Sequence, residues 1–359
     1  MHLTIDPTVL VRDLTRVAGA TTRGPIAILA NCLITAGDAG MRMRAGDQEL
    51  AIETATAATV TTPGRVCVNP RDVLTAVRGS KSPITLELDD KHLVISSGRS
   101  RVRLVTLDPA EYPSRAEGRA GRQLTLPAPA LLAAIAATID CASVDAGRPN
   151  ISGVHIVSSD SCVRLEATDG HRLARYTLET GGAAIDAIVP TRALAELRKS
   201  LSAGDVTITA TDTEIRFAHG DTEITSRLVD GAFPNVDRVL PSTVGATRIE
   251  ADRAELLAQV RHVSAFAHQK NRIMRMRTGA NLIDLTSADV DRGECLASLQ
   301  VAVEGAPVLV GANADYVVDA LTAHDSARVE IYATDSLRPL LIRAVGDSAG
   351  VWVVMPVRL

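Results

Sequence analysis

Leu124-Thr125-Leu126-Pro127 is a short alternating strand that ends on a proline, and behind it Leu132, Ile135 and Ile139 recur at helical spacing. Proline in the first turn of a helix gives up an amide bond that no helix makes there, so the strand is expected to run straight into a helix. The same construction stands 120 positions earlier, where Leu3-Thr4-Ile5-Asp6-Pro7 precedes Leu10, Leu14 and Val17. It returns 125 positions later, where Thr247-Arg248-Ile249-Glu250-Ala251-Asp252 precedes Leu256, Leu257, Val260 and Val263. There Asp252 replaces the proline, as a cap for the orphan amides.

A second set of helix starts keeps the same period: Val68-Asn69-Pro70-Arg71, Val189-Pro190-Thr191-Arg192 and Val310-Gly311-Ala312-Asn313. Their inward residues are Val73/Leu74/Val77, Leu194/Leu197/Leu201 and Val317/Ala320/Leu321. Behind each comes an alternating hairpin with an Asp-containing turn, at Ile84–Ile95, Val206–Phe217 and Val329–Ile342. Six helix starts and three hairpins at one period of about 120 residues mark an internal triplication. The expected fold is therefore α+β, with three similar domains (1–121, 122–246 and 247–359), each of two helices packed on antiparallel sheet, in series as an arch.

The 359 residues are 46% hydrophobic and 22% charged, which excludes a disordered or fibrous chain. With only 3 Phe, 4 Tyr and 1 Trp, the cores must be aliphatic. A net charge of −4 argues against a protein that grips nucleic acid with its whole surface, and leaves room only for a local basic face. Five scattered cysteines without a CxxC pair read as free thiols of a reducing compartment. No run of residues is apolar enough to span a membrane, and Met1-His2-Leu3-Thr4-Ile5-Asp6 has neither part of a signal peptide, so a cytoplasmic location is expected.

Phosphate-loop, dinucleotide, zincin and nucleophile-elbow motifs are all missing. One cluster, Thr168-Asp169-Gly170-His171-Arg172, combines a carboxylate, an imidazole and a guanidinium and invites an acid–base reading. Its flanks, Val163–Ala167 and Leu173–Tyr176, alternate as strands, and Asp-Gly is turn chemistry; the hairpin turn is the stronger reading. Basic residues recur on the repeated helices: Arg12 with Arg16, Arg71 with Arg78, Arg192 with Lys199 and the adjoining Arg198, and Arg253 with Arg261. Each pair falls roughly on one helical face away from the apolar stripe, where a basic wall would attract phosphates without reading bases. The helices at 128–140 and 313–323 carry no Lys or Arg.

Several strings now resemble one family. Arg148-Pro149-Asn150-Ile151-Ser152-Gly153-Val154-His155-Ile156 and Ala167-Thr168-Asp169-Gly170-His171-Arg172-Leu173-Ala174 are similar to the middle domain of the bacterial sliding clamps, the beta subunit of DNA polymerase III. Leu228-Val229-Asp230-Gly231-Ala232-Phe233-Pro234 with Arg238-Val239-Leu240-Pro241, Ser97-Gly98-Arg99-Ser100-Arg101, and the ending Val353-Val354-Met355-Pro356-Val357-Arg358-Leu359 extend the resemblance over the whole chain. It implies a head-to-tail homodimer closed into a ring around double-stranded DNA, held topologically and without sequence preference. It implies no enzymatic activity, cofactor or metal, and as partners the polymerase III alpha subunit, the clamp loader and other clamp-motif proteins, with no membrane.

The resemblance further implies a client-peptide groove formed by Arg148, Ile151, Thr168, Gly170, His171, Arg172, Leu173, Pro234, Arg238, Val239, Leu337, Pro339, Val353, Met355, Pro356, Val357, Arg358 and Leu359. Aliphatic walls would take Leu and Phe side chains while arginines fix orientation. Arg23 and Asn150 join the helix-borne basic residues as DNA-facing positions. Pro339 stands where the family often has a small polar residue, and Val357 where it has a second methionine. The alternative reading is a clamp-like paralogue that binds clients or an inhibitor as a decoy and is never loaded on DNA.

Overall fold

A computed structural model describes residues 1–22, 24, 26–113 and 120–359. The first repeat runs β1 (His2–Ile5), α1 (Pro7–Ala18), β2 (Cys32–Gly37), β3 (Gly40–Gly46), β4 (Leu50–Thr56), β5 (Thr59–Thr62), β6 (Gly64–Val68), α2 (Pro70–Val77), β7 (Ile84–Asp89), β8 (His92–Ser97) and β9 (Ser100–Val105). The second runs β10 (Arg122–Pro127), α3 (Ala128–Thr138), β11 (Gly153–Ser158), β12 (Val163–Thr168), β13 (Arg172–Leu178), β14 (Asp186–Pro190), α4 (Thr191–Ser200), β15 (Asp205–Ala210), β16 (Glu214–His219) and β17 (Thr222–Arg227). The third runs β18 (Thr247–Asp252), α5 (Arg253–Ser264), β19 (Ile273–Thr278), β20 (Leu282–Asp289), β21 (Gly293–Gln300), β22 (Ala302–Glu304), β23 (Leu309–Asn313), α6 (Ala314–Thr322), β24 (Arg328–Ala333), β25 (Leu340–Ala344) and β26 (Gly350–Val354).

All six helix starts and all three hairpins lie within a residue or so of where the period puts them; Pro7 and Pro70 open their helices, whereas Pro127 and Pro190 are the last residues of β10 and β14, one place before α3 and α4. Asp6, Asn69, Asp252 and Asn313 cap their helices through side-chain oxygens. Leu10, Leu14 and Val17 of α1 are fully buried, as the spacing predicts. On α3 the face is turned by one residue: Leu131, Ala134 and Ile135 are buried and Leu132 only half-buried. Ile139, Arg78 and Leu201 stand past the ends of their helices.

Strand pairing does not respect the repeats. By compactness the chain divides into one unit of Met1–Pro129 with Arg192–Leu228 and another of Ala130–Thr191 with Val229–Leu359. The first unit holds a five-stranded sheet, β5-β1-β7-β8-β9, and an eight-stranded sheet, β10-β15-β16-β17-β4-β3-β2-β6. The second holds a nine-stranded sheet, β14-β11-β12-β13-β26-β25-β24-β18-β22, and a four-stranded sheet, β21-β20-β19-β23. Each long sheet thus joins strands from between the two helices of one repeat (β2–β4 and β6, or β11–β14) to the last three strands of the next repeat together with its first (β15–β17 with β10, or β24–β26 with β18). The two seams are antiparallel: β4 meets β17 with Ala51 opposite Thr225, and β13 meets β26 with Leu173 opposite Val353. Alternation along the strands, as in the buried–intermediate pattern of β2, gives each sheet one core face.

Candidate client-peptide groove

The β12–β13 turn is closed by its own side chains. Asp169 Oδ1 accepts from the His171 and Arg172 amides at 2.8 and 3.0 Å, and its Oδ2 accepts from Arg172 Nε at 3.0 Å. Thr168 Oγ1 donates to the Arg172 carbonyl, and Gly170 takes the positive φ of 90° that the turn requires. The carboxylate that suggested acid–base chemistry is therefore spent on the backbone, and the hairpin-turn reading holds. Arg172 is also bound to Asp319 and the Asp140 carbonyl, and lies 4.6 Å from the Tyr316 ring centroid. Burial pushes the nearby Cys141 thiol up to about 12.

Directly after this turn, Leu173 pairs with Val353, and both pack with Val236 into an apolar floor flanked by Phe233, Leu240 and Val351. Above the floor lies a cavity of ≈340 Å³. It gathers ten of the expected groove residues, Arg148, Ile151, Thr168, Gly170, Arg172, Leu173, Pro234, Val239, Val353 and Met355. Asn150, expected to face DNA, lines this cavity too, and its amide donates to the Ala232 carbonyl at 3.1 Å. Asn235 and Val236 complete the lining and were missed. The signal for Val236 was an apolar residue two places after Phe233-Pro234. A second cavity of ≈340 Å³ shares Val239 and Met355 with the first and adds Arg238 and Pro339.

The remaining expected residues lie around this pair of cavities rather than in their linings. Leu337 is 71% exposed. The His171 carbonyl accepts from the Met355 amide at 2.9 Å and so fixes where the chain leaves β26. Pro356 and Val357 run on along β23, with the Val357 amide donating to the Gly311 carbonyl at 2.8 Å. Leu359 lies over Gly311, where a Cβ would come within 2.5 Å of it, and Arg358 is exposed.

Beside the floor, on the same face of the sheet, lies a charged cluster. His155 stacks on Phe233 with centroids 4.6 Å apart, between Asp186 at 2.8 Å and Glu166 at 3.4 Å. Burial alone would lower its pKa, but the two carboxylates outweigh it and raise it. Arg175 bridges Glu166 to Asp237, each at 2.7 Å, and tethers the segment that carries Val236. The Arg175 hydrogen bond holds the Asp237 carboxyl below its usual value.

The helix-borne basic residues fall into two groups. Arg12 and Arg16 converge on Asp13, a fully buried carboxylate on α1 that the spacing did not reveal. Arg192 pairs with Asp47, Lys199 with Glu196, and Arg253 donates to the Ser326 and Leu321 carbonyls, capping the end of α6. Arg71, Arg78, Arg198 and Arg261 are exposed and make no side-chain ion pair among the described residues. Arg23 lies outside the described residues.

Among those residues no group of His, Cys, Asp and Glu could hold a metal ion, all five cysteines are free, and no helix is long and apolar enough to cross a membrane. Three family models match in chain order: the N-terminal domain of the DNA polymerase III beta subunit over residues 1–116, its central domain over 125–235 and its C-terminal domain over 237–358. The chain is 29% identical over 367 residues to the beta sliding clamp of Escherichia coli K12, and 28% over 373 residues to that of Caulobacter vibrioides, covering 100% of both partners in each case. Among solved structures, the DNA polymerase III subunit beta of Pseudomonas aeruginosa superposes with a TM-score of 0.94 at 26% identity. The Bartonella birtlesii sliding clamp bound to griselimycin does so with 0.95 at 28%, again with both chains covered in full. With three domains matched in order and the clamp fold reproduced from end to end, the chain belongs to the DNA polymerase III beta subunit family.

Proposed function

We propose that the protein is a DNA sliding clamp: a non-enzymatic tether, built of domains 1–121, 122–246 and 247–359, that encircles duplex DNA and holds the replicative polymerase on it. The observation that carries the ring is a seam left open. Within the chain, β4 joins β17 and β13 joins β26. By position in the repeats, the remaining counterparts are β21 and β9, and each is the end strand of its sheet. Pairing β21 of one copy with β9 of another repeats the internal seam between chains and closes two copies head to tail. The edges complement each other in charge, with Arg101 and Arg103 on β9 and Glu294, preceded by Asp289 and Asp291, on β21. Val105 and Leu296, 74% and 64% exposed, offer apolar contacts at the joint.

Retention on DNA is then topological, so few strong phosphate contacts are wanted, since each adds drag and salt dependence. Exposed Arg71, Arg78, Arg198 and Arg261 attract the backbone, while a net charge of −4 keeps the rest of the surface from holding it. Clients, with the polymerase alpha subunit and the loader first among them, insert a short apolar motif above Leu173, Val236 and Val353, with Arg148 orienting its polar groups. The place of work is the cytoplasm.

The decisive test is retention on singly primed circular DNA through a high-salt wash, with and without a clamp loader. Loader-dependent retention that disappears when the circle is cut is the expected result. Retention that survives cutting but not salt would replace the ring with ordinary electrostatic binding.

A further inference from the structure

The β4–β17 seam is built like the β13–β26 seam in detail. Asp47 Oδ1 accepts from the Glu49 and Leu50 amides at 2.8 and 2.9 Å, as Asp169 does from His171 and Arg172. The Arg227 amide donates to the Glu49 carbonyl at 2.9 Å, as Met355 does to His171. Tyr112-Pro113 follows β9 as Phe233-Pro234 follows β17. This seam also carries a cavity, and a larger one, of ≈600 Å³.

Its chemistry is different. Ala51 and Thr225 replace the Leu173–Val353 pair of the other floor, and Arg227 replaces Met355. Thr225 and Tyr112 are 5% and 7% exposed; the Thr225 hydroxyl has no hydrogen-bond partner among the described residues, and the Tyr112 oxygen lies against the Gly46 backbone. Burial raises the Tyr112 pKa, so its hydroxyl stays a donor. Both hydroxyl oxygens are shut off from solvent behind the lining, so what the cavity offers a ligand is the charge and the apolar wall of its other residues. Arg44 and Arg227 line the same cavity without an ion pair among the described residues. Of the acidic residues there, Asp47 is taken by Arg192, Glu214 is engaged, and Glu49 is exposed at the rim. Ile26 and Leu29 give one apolar wall.

We propose that this seam is a second groove, for an acidic peptide segment of a partner protein. Carboxylates are held by Arg44 and Arg227, and an intervening aliphatic side chain rests on Ile26 and Leu29. The proposal borrows from the client-groove reading only that such a seam admits an extended peptide.

The test uses the full chain and a fluorescein-labelled octapeptide of alternating Glu and Leu, followed by anisotropy, with the Gln-Leu peptide as its neutral twin. The Glu-Leu peptide should bind at least tenfold more tightly than the Gln-Leu peptide. Arg227→Glu and Arg44→Glu should each weaken it at least tenfold, while Met355→Glu leaves it unchanged. A Leu- and Phe-bearing clamp-motif peptide should behave inversely, lost with Met355→Glu and kept with Arg227→Glu, so either groove can fail alone. No binding of the Glu-Leu peptide, equal binding of its neutral twin, or loss on Met355→Glu would overturn the proposal. So would displacement by free citrate at concentrations as low as the unlabelled peptide needs, which would leave only an anion site.

Discussion

Met355, just past the end of β26, is 40% exposed while Val353, two places before it on the strand, is 2% exposed. The two residues therefore answer different questions when changed. Met355→Glu should cut binding of a clamp-motif peptide at least tenfold and leave the melting temperature almost unmoved, because no packed volume is lost. Leu173→Ala should cost about 2–5 kcal/mol of stability, read from denaturant midpoints, because it opens a void under the groove. His155 adds a pH dependence to the same floor. Its pKa is raised in the fold, so its contribution is complete below the unfolded value of 6.5 and is lost as the pH rises through the folded one. Melting curves of the native chain should fall over that range relative to those of His155→Gln, and parallel curves would remove His155 from the account.

At the level of elements, what was legible was local. Helices announced themselves through Pro or Asp followed by spaced leucines, and the Thr168–Arg172 turn through Asp-Gly, because these signals act within a few residues. The buried Asp13 was not legible, and Val236 in the floor showed only as an apolar residue behind Phe233-Pro234, since both depend on partners distant in sequence. The tip of the groove was legible only through family strings, for nothing in the spacing of Val353–Leu359 says that the chain turns out of β26 toward β23. On β24, Glu330 collects hydrogen bonds from Arg343, Arg248 and Tyr332. Burial opposes these bonds, yet they hold its pKa down to about 2. The stabilisation this strand gains is complete above the ordinary 4.5 and drains away as the pH falls toward 2. Glu330→Gln should flatten that part of an acid-unfolding curve.

For the whole molecule, the proposed ring joint rests on the two end strands, β9 and β21. Leu296→Arg places a positive charge on β21 against Arg101 and Arg103 of β9 without touching a buried residue. Sedimentation should show monomers of native secondary structure, and loader-dependent retention on circular DNA should vanish with the dimer. A dimer that persists with this substitution would move the joint elsewhere. The order of the strands within each long sheet was invisible in the sequence because antiparallel pairing across a seam uses backbone groups, and these carry no residue signature.

Half of the eight-stranded sheet comes from residues before 70 and half from residues after 120, and the polypeptide between them builds α2 and β7–β9, whose strands belong to the five-stranded sheet. A gene split between codons 113 and 120 would yield two pieces whose edges still present β4 to β17, with the lost peptide link replaced by concentration alone. Seen this way, the seam inside a chain and the joint proposed between chains are one kind of contact, differing in whether translation happens to stop there. How many polypeptides such a ring contains is a matter of gene punctuation more than of protein architecture.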